Sequence, residues 1–168
     1  MVSEIEEWIK YIQMPRTELG NYSVCPYART AQNKYTVTEC TLDQIEKLVS
    51  ICNIVDNKLC IFYLPNYEEY TIEALEQKTL YLNEQYLHLN KVVLDSDPRN
   101  PFSLNGVVTT FPNCYLWIVQ PLDDLTEKSD KLKVSTNYYD YWTQEQLNEV
   151  VTWRTNIYNR NETGKQSS

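Results

Sequence analysis

Leu59-Cys60-Ile61-Phe62-Tyr63-Leu64, closed by Pro65, runs without a polar interruption. A strand with one wet face alternates apolar and polar residues. An unbroken apolar run of this length is the pattern of a strand covered on both faces. Tyr115-Leu116-Trp117-Ile118-Val119, closed by Pro121, repeats the pattern. Two such strands predict the centre of a sheet with helices packed against it. Tyr35–Glu39 and Val92–Leu94, rich in β-branched residues, supply two more strands.

Helix starts are written between them. Ser3–Glu6, Thr41–Gln44 and Thr143–Gln146 have capping-box spacing, in which a hydroxyl and a carboxylate or amide three residues on satisfy orphan N–H groups. The first helix carries Ile5, Trp8 and Ile12 and stops before Pro15. The second carries Leu42, Ile45, Leu48, Val49 and Cys52, and the third Leu147, Val150, Val151 and Trp153. A further helix starts near Thr71 and runs through Ile72, Leu75, Leu82, Tyr86 and Leu89 toward Asn90. The order is helix, β-α-β-α-β, then β and a final helix. It predicts an α/β fold, with α+β as the alternative: a single mixed sheet packed with helices, thioredoxin-like or ferredoxin-like, containing a right-handed crossover. Residues 1–158 are expected to form one globular domain and 159–168 a disordered polar tail. Asp95–Asn113 and Asp123–Trp142 read as long connections, the first a functional loop or a missed element.

Composition excludes more than it names. The formal net charge of −8 leaves no clustered Lys and Arg for phosphate backbones, so no nucleic-acid partner is expected. The apolar runs are strand-sized, so no membrane span is expected. Glu4, Glu6 and Glu7 stand where a secretory leader carries positive charge, which predicts a cytoplasmic protein. Abundant Tyr, Asn and Lys point to an AT-rich genome, such as that of a marine bacterium or its phage. Gly20, Gly106 and Gly164 are the only glycines, too few for a phosphate loop or dinucleotide fingerprint. His88 is the single histidine, which argues against a Ser-His-Asp triad or a His-rich zinc site. Cys25, Cys40, Cys52, Cys60 and Cys114 are irregularly spaced and read as free thiols. No metal and no cofactor are expected.

The candidate chemistry centres on Ser23-Val24-Cys25-Pro26-Tyr27-Ala28-Arg29. A thiol followed by Pro at the start of a helix meets free N–H groups and the positive end of the helix dipole, which favour thiolate. The competing role is a small apolar residue in a tight turn. Ala28 stands where a dithiol mechanism needs a second cysteine, so only a monothiol redox or nucleophilic role fits. Cys40, after a strand but without a Pro partner, reads as packing, and a Cys25–His88 dyad has no local support. Asp95-Ser96-Asp97-Pro98-Arg99-Asn100-Pro101 lies at a strand end, where open α/β sheets bind ligands, though such a run is also an ordinary turn. Thr109-Thr110-Phe111-Pro112-Asn113-Cys114 enters the second apolar strand, with Pro112 either cis and pocket-forming or a plain strand start. Cys25, Arg29, Asp97, Arg99 and Asn113 form the candidate pocket. Its partner is an unknown small molecule or protein. The alternative to thiol chemistry is an acidic interaction protein, phage-encoded for example, using Tyr138-Tyr139-Asp140-Tyr141-Trp142 as its patch, unless that run plugs the core.

Trp8, Val24-Cys25-Pro26-Tyr27-Ala28, Leu59–Leu64, Asp97-Pro98 and Phe111-Pro112 before Tyr115–Val119 fall in an order that resembles a bacterial domain-of-unknown-function family, number fourteen-fifteen. The family pattern is a helix with a Trp, a Leu-Cys-Pro-Phe-Ala motif, an apolar strand, a His-Pro segment and a Ser-Pro-Tyr-Pro stretch. Asp97 takes the place of the family's His, and Thr109-Thr110-Phe111-Pro112 replaces its longer polar and proline run. The resemblance implies a shared fold and a pocket around Cys25, with altered chemistry. It names no reaction.

Overall fold

Leu59–Leu64 and Tyr115–Pro121 pair antiparallel at the centre of a four-stranded sheet, with Cys60 opposite Val119 and Leu64 opposite Tyr115. The computed structural model describes residues 1–31 and 34–166, and at 30, 31, 161 and 163–166 the backbone alone. Along the chain the strands are β1 (Pro15–Arg16), β2 (Tyr22–Ser23), β3 (Tyr35–Glu39), β4 (Leu59–Leu64), β5 (Lys91–Ser96), β6 (Ser103–Leu104), β7 (Val107–Val108) and β8 (Tyr115–Pro121). The α-helices are α1 (Val2–Gln13), α2 (Pro26–Ala31), α3 (Ile45–Ile51), α4 (Ile72–Tyr86), α5 (Leu122–Ser135), α6 (Gln144–Leu147) and α7 (Trp153–Gln166), with a π-helical segment, Asn148–Thr152, joining the last two.

The main sheet has the order β3-β4-β8-β5. β3 and β4 are parallel across the α3 crossover, and β8 runs antiparallel to both of its neighbours. β4 and β5 therefore point the same way with β8 inserted between them, a split β-α-β unit spanned by α4. The expected α/β class is observed. The β-α-β-α-β-β-α sequence of elements differs from the β-α-β-β-α-β order of ferredoxin-like folds.

Strand alternation sends Cys60, Phe62, Leu64, Tyr115, Trp117 and Val119 to one face, where they meet Ile45 and Val49 of α3 and Leu75 and Leu82 of α4. Leu59, Ile61, Tyr63 and Leu116 go to the other, against Ile5 and Ile9 of α1 and the segment carrying Phe111 and Cys114. On that second face Val92 of β5 meets Leu122 and Leu125 of α5, with Trp153 and Ile157 of α7 packed beside them. One face thus has two separate covers, α1 and the α5–α7 pair, and the gap between them shapes the site described below.

β5 is an edge strand, and its outer side is not bare. The Asn83 side chain donates Nδ2–H to the Val93 carbonyl (2.8 Å) and accepts from the Val93 N–H (2.8 Å). One amide thus replaces a neighbouring strand at that position.

The Thr143 box is complete: Gln146 N–H donates to Thr143 Oγ1 (3.2 Å) and Thr143 N–H to Gln146 Oε1 (2.9 Å). Thr71 caps α4 through Ala74 N–H (3.1 Å). The Thr41 box keeps only its Gln44 half, Thr41 N–H to Oε1 at 3.2 Å, with the helix proper starting at Ile45. The Ser3 box is corrected: α1 starts at Val2, so Ser3 lies inside the first turn, and Glu4 pairs with the terminal ammonium (3.1 Å).

The two long connections are corrected as well. Asp95–Asn113 contains the β6–β7 hairpin, whose Asn105 (φ 45°) and Gly106 (φ 83°) are the two left-handed residues a tight hairpin turn requires. Asp123–Trp142 is mostly α5, which starts without a side-chain cap and buries Thr126 and Ser129 beside Leu122 and Leu125. The backbone of α7 is helical to Gln166, and residues 167–168 lie outside the described residues. Gly20 is required on two counts. Its φ is +62°, and a Cβ there would collide with the Tyr141 hydroxyl. Among the described residues no peptide bond is cis, which leaves Pro112 as a strand-entry residue, and no helix is long and apolar enough to cross a membrane.

Candidate functional site: a cavity around Arg154

A cavity of about 740 Å³ opens at the gap between α1 and the α5–α7 pair and continues past the β5 edge to Glu76, Leu80 and Asn83 of α4. Its sheet wall includes Leu59 and Ile61 of β4, Leu94 of β5, and Ile118 and Gln120 of β8. These residues share a face because each lies two positions from its neighbour or directly opposite it across the sheet. Trp8 and Ile12 come from α1, Cys25, Tyr27 and Ala28 from the start of α2, and Tyr138, Tyr139 and Trp142 from the turn after α5. Trp153 and Arg154 come from α7.

Cys25 sits where the sequence places it, directly before α2. Its backbone N–H donates to the Ile12 carbonyl (3.0 Å). The N–H groups of Ala28 and Tyr27 do reach the sulfur, and the Arg154 and Lys128 charges act in the same direction. Burial outweighs all four, so the thiol pKa is raised, not lowered. The neutral thiol is therefore the form present at pH 7–8, and iodoacetamide at pH 8 is expected to label Cys25 several-fold more slowly than free cysteine. Labelling followed site by site by mass spectrometry checks this. A rate equal to or above that of free cysteine would contradict it.

The five candidate residues are only partly brought together. Cys25 and Asp97 both line the cavity. Arg29 is exposed; the cations that act on Cys25 are Arg154 and Lys128. Arg99 is held by Asp97 through Nε (3.0 Å) and NH2 (2.7 Å) and donates to the Tyr70 carbonyl (2.7 Å), with its guanidinium over the Tyr67 ring. With Asp97 Oδ1 also accepting the Arg99 N–H (2.8 Å), the Asp97–Arg99 pair satisfies itself as a turn. Asn113 is exposed, 3.5 Å from Glu4, and does not line the cavity. His88 is exposed and does not line it either. Cys40 is buried, its N–H donating to the Tyr63 carbonyl (2.9 Å) and its thiol pushed up to about 12 by burial. Among the described residues no group of three or more metal-ligating side chains occurs.

The 138–142 run packs inward. Tyr138 is buried and donates to the Val24 carbonyl (2.8 Å), its ring edge-on to Tyr22, Tyr139 and Trp142. The Tyr139 hydroxyl bridges Tyr27 (2.7 Å) and Ser129 (2.6 Å). These rings wall the cavity and close the core beside it.

Arg154 is the residue that sequence reasoning missed. It is only 2% exposed, its Nε has no hydrogen-bond partner, and Tyr27 presents a ring face 6.0 Å away. Its charge neighbours are Tyr27, Tyr139, Cys25 and Tyr138. Among the described residues no carboxylate forms an ion pair with it; the six ion pairs lie elsewhere. Arg16 Nε and NH2 and Trp142 Nε1 are likewise buried donors without an aligned acceptor. The carboxylates lining the cavity are committed or exposed. Asp97 holds Arg99, Asp95 accepts from Tyr115 (2.7 Å), and Glu76 and Glu149 are exposed. A lone cation within the run Val150, Val151, Trp153, Arg154, Ile157 and Tyr158 was the available signal.

No family model, curated protein or solved structure matches this chain. The family resemblance thus rests on the quoted motif residues alone.

Proposed function

We propose that this chain is a binding protein for a small organic anion with a flat apolar body, seated against Arg154. The observation that carries the reading is the buried guanidinium without a carboxylate partner. Burying an unpaired charge is costly, by several kcal/mol even after relaxation. An anionic ligand supplies the missing counter-charge. Beside Arg154 the cavity is lined by Tyr27, Tyr139, Trp142 and Trp153, aromatic surface for an organic body to pack on. Cys25, held neutral, serves in this reading as wall rather than nucleophile.

Isothermal titration of the full chain with benzoate, phenyl phosphate and the neutral isostere benzamide tests it. Either anion is expected to bind, benzamide at least tenfold more weakly, and Arg154→Met to lose at least tenfold in anion affinity. The same variant is expected to unfold at an equal or higher denaturant concentration than the parent, because it removes a buried charge. Failure of both anions to bind, or equal affinity in Arg154→Met, would end the reading.

A further inference from the structure

The β6–β7 hairpin turns on Asn105-Gly106, the one place in the chain where glycine follows asparagine. Both residues are exposed, and a Cβ on Gly106 would meet nothing within 4 Å. The Gly106 N–H makes no hydrogen bond among the described residues. The base of the hairpin is closed by several bonds. Phe102 N–H donates to Thr110 Oγ1 (2.7 Å), and the Phe102 carbonyl accepts from the Thr109 N–H (2.9 Å) and hydroxyl (3.1 Å). From α6, Gln146 Nε2–H reaches the Ser103 carbonyl (2.7 Å). The tip is tied by Asn105 itself. Its Nδ2–H donates to the Glu18 carbonyl (2.7 Å), 87 positions away in the turn Thr17–Leu19.

We propose that Asn105 is a site of spontaneous deamidation, and that its conversion unties the hairpin tip from the Thr17–Leu19 turn. The Gly106 backbone nitrogen attacks Asn105 Cγ. A C–N bond forms, the Cγ–Nδ2 bond breaks, and the side-chain nitrogen leaves as ammonia with the Gly106 proton. Water then opens the resulting succinimide at either carbonyl. Cleavage at Cγ gives aspartate; cleavage at the main-chain carbonyl gives isoaspartate, with the chain routed through the side chain. The sum is one amide and one water giving one carboxylate and one ammonium ion. Glycine makes the attacking nitrogen reachable, since every other asparagine here is followed by a residue whose Cβ crowds the approach. The intact turn opposes the reaction, because the Glu18 contact holds the amide and the Asn105 backbone is fixed at a left-handed φ of 45°. Conversion therefore proceeds from local openings of the tip, and it is one-way. A carboxylate has no N–H to return to the Glu18 carbonyl and faces that oxygen with negative charge. The loosened element is a wall of the cavity, since Leu104 of β6 is 1% exposed and lines it.

The test needs no ligand and is independent of the reading of Arg154. The full chain is held at pH 8 and 37 °C for several weeks, and its tryptic peptides are followed by mass spectrometry for the one-unit gain of each amide lost. Fragmentation of the peptide between Arg99 and Lys128 separates Asn105 from Asn100 and Asn113. Expected is Asn105 as the first and dominant site, with isoaspartate in the product, detected by enzymatic methylation. Gly106→Ala, whose added methyl has open space around it, is expected to slow conversion at least tenfold. Asn105→Asp, which makes one product directly, is expected to raise amide hydrogen exchange across β6 and β7 several-fold, while β4 and β8 exchange as in the parent. Asn105 remaining intact, another asparagine converting first, or equal rates in the parent and Gly106→Ala would overturn the site. Parental exchange in Asn105→Asp would overturn the role of the amide as the tether.

Discussion

Trp117→Ala is expected to cost about 3–5 kcal/mol of folding free energy, enough to remove a large share of the ~5–15 kcal/mol that holds a domain together. Trp117 is fully buried in β8 against α4. Its ring meets Tyr115 edge-on, centroids 4.8 Å apart, and its Nε1–H donates to Thr79 Oγ1 (2.9 Å). Thr79 is the hub of a buried polar knot, within hydrogen-bond reach of the Leu75 carbonyl, Asp95 and the Tyr115 hydroxyl. Removing the indole therefore opens a void between β8 and α4 and takes one donor from that knot. Trp117→Phe keeps most of the ring and loses the donor, for an expected ~1–2 kcal/mol. Urea unfolding of the three proteins checks the ladder. An unfolding free energy for Trp117→Ala within ~1 kcal/mol of the parent would mean that this residue is not in the core.

Asn83→Leu is expected to act differently at a similar scale. It strips the Val93 N–H and C=O of both edge partners at once. Two backbone groups left partly buried without partners cost ~1–3 kcal/mol each. The exposed edge then becomes a template for a second molecule. The variant is expected to be about 2–6 kcal/mol less stable, on the same principle, and to associate with rising concentration. Hydrogen exchange at the Val93 amide gives the sharper readout, since its protection depends directly on Asn83 Oδ1. Unchanged exchange at Val93, with a monomeric variant, would contradict the role of the amide.

What the sequence reveals follows from where the physics is local. β4 and β8 are legible because burial on both faces leaves an unbroken apolar run. The Thr143 box is legible because capping needs only four residues. The Asn105-Gly106 dipeptide is an equally local signal, a strong hairpin marker, set in a stretch without other periodicity. α5 is harder to read. It has no capping side chain, and it fills part of its buried stripe with Thr126 and Ser129 rather than with apolar residues. For the site, the placement of Cys25 before α2 is legible, but the state of its thiol is not. The helix-end N–H groups are local features, whereas the burial that outweighs them comes from distant segments. Arg154 and Lys91 lie in the same category. Lys91 meets Val49 from 42 positions away, and no spacing rule encodes that meeting.

The π-helical turn at Asn148–Thr152 has a mechanical consequence for Arg154. Each residue advances a helix by ~100° of rotation, so a wide turn sets the angular phase of everything after it. Thr152 Oγ1 reaches back five residues to the Leu147 carbonyl (3.1 Å) and fastens that turn. Shortening the segment by a single residue would swing the guanidinium by about a quarter-turn and point it elsewhere. The orientation of the cation is in this sense stored in a backbone irregularity upstream of it, and relaxing that irregularity would empty the cavity of its charge while leaving the sheet undisturbed.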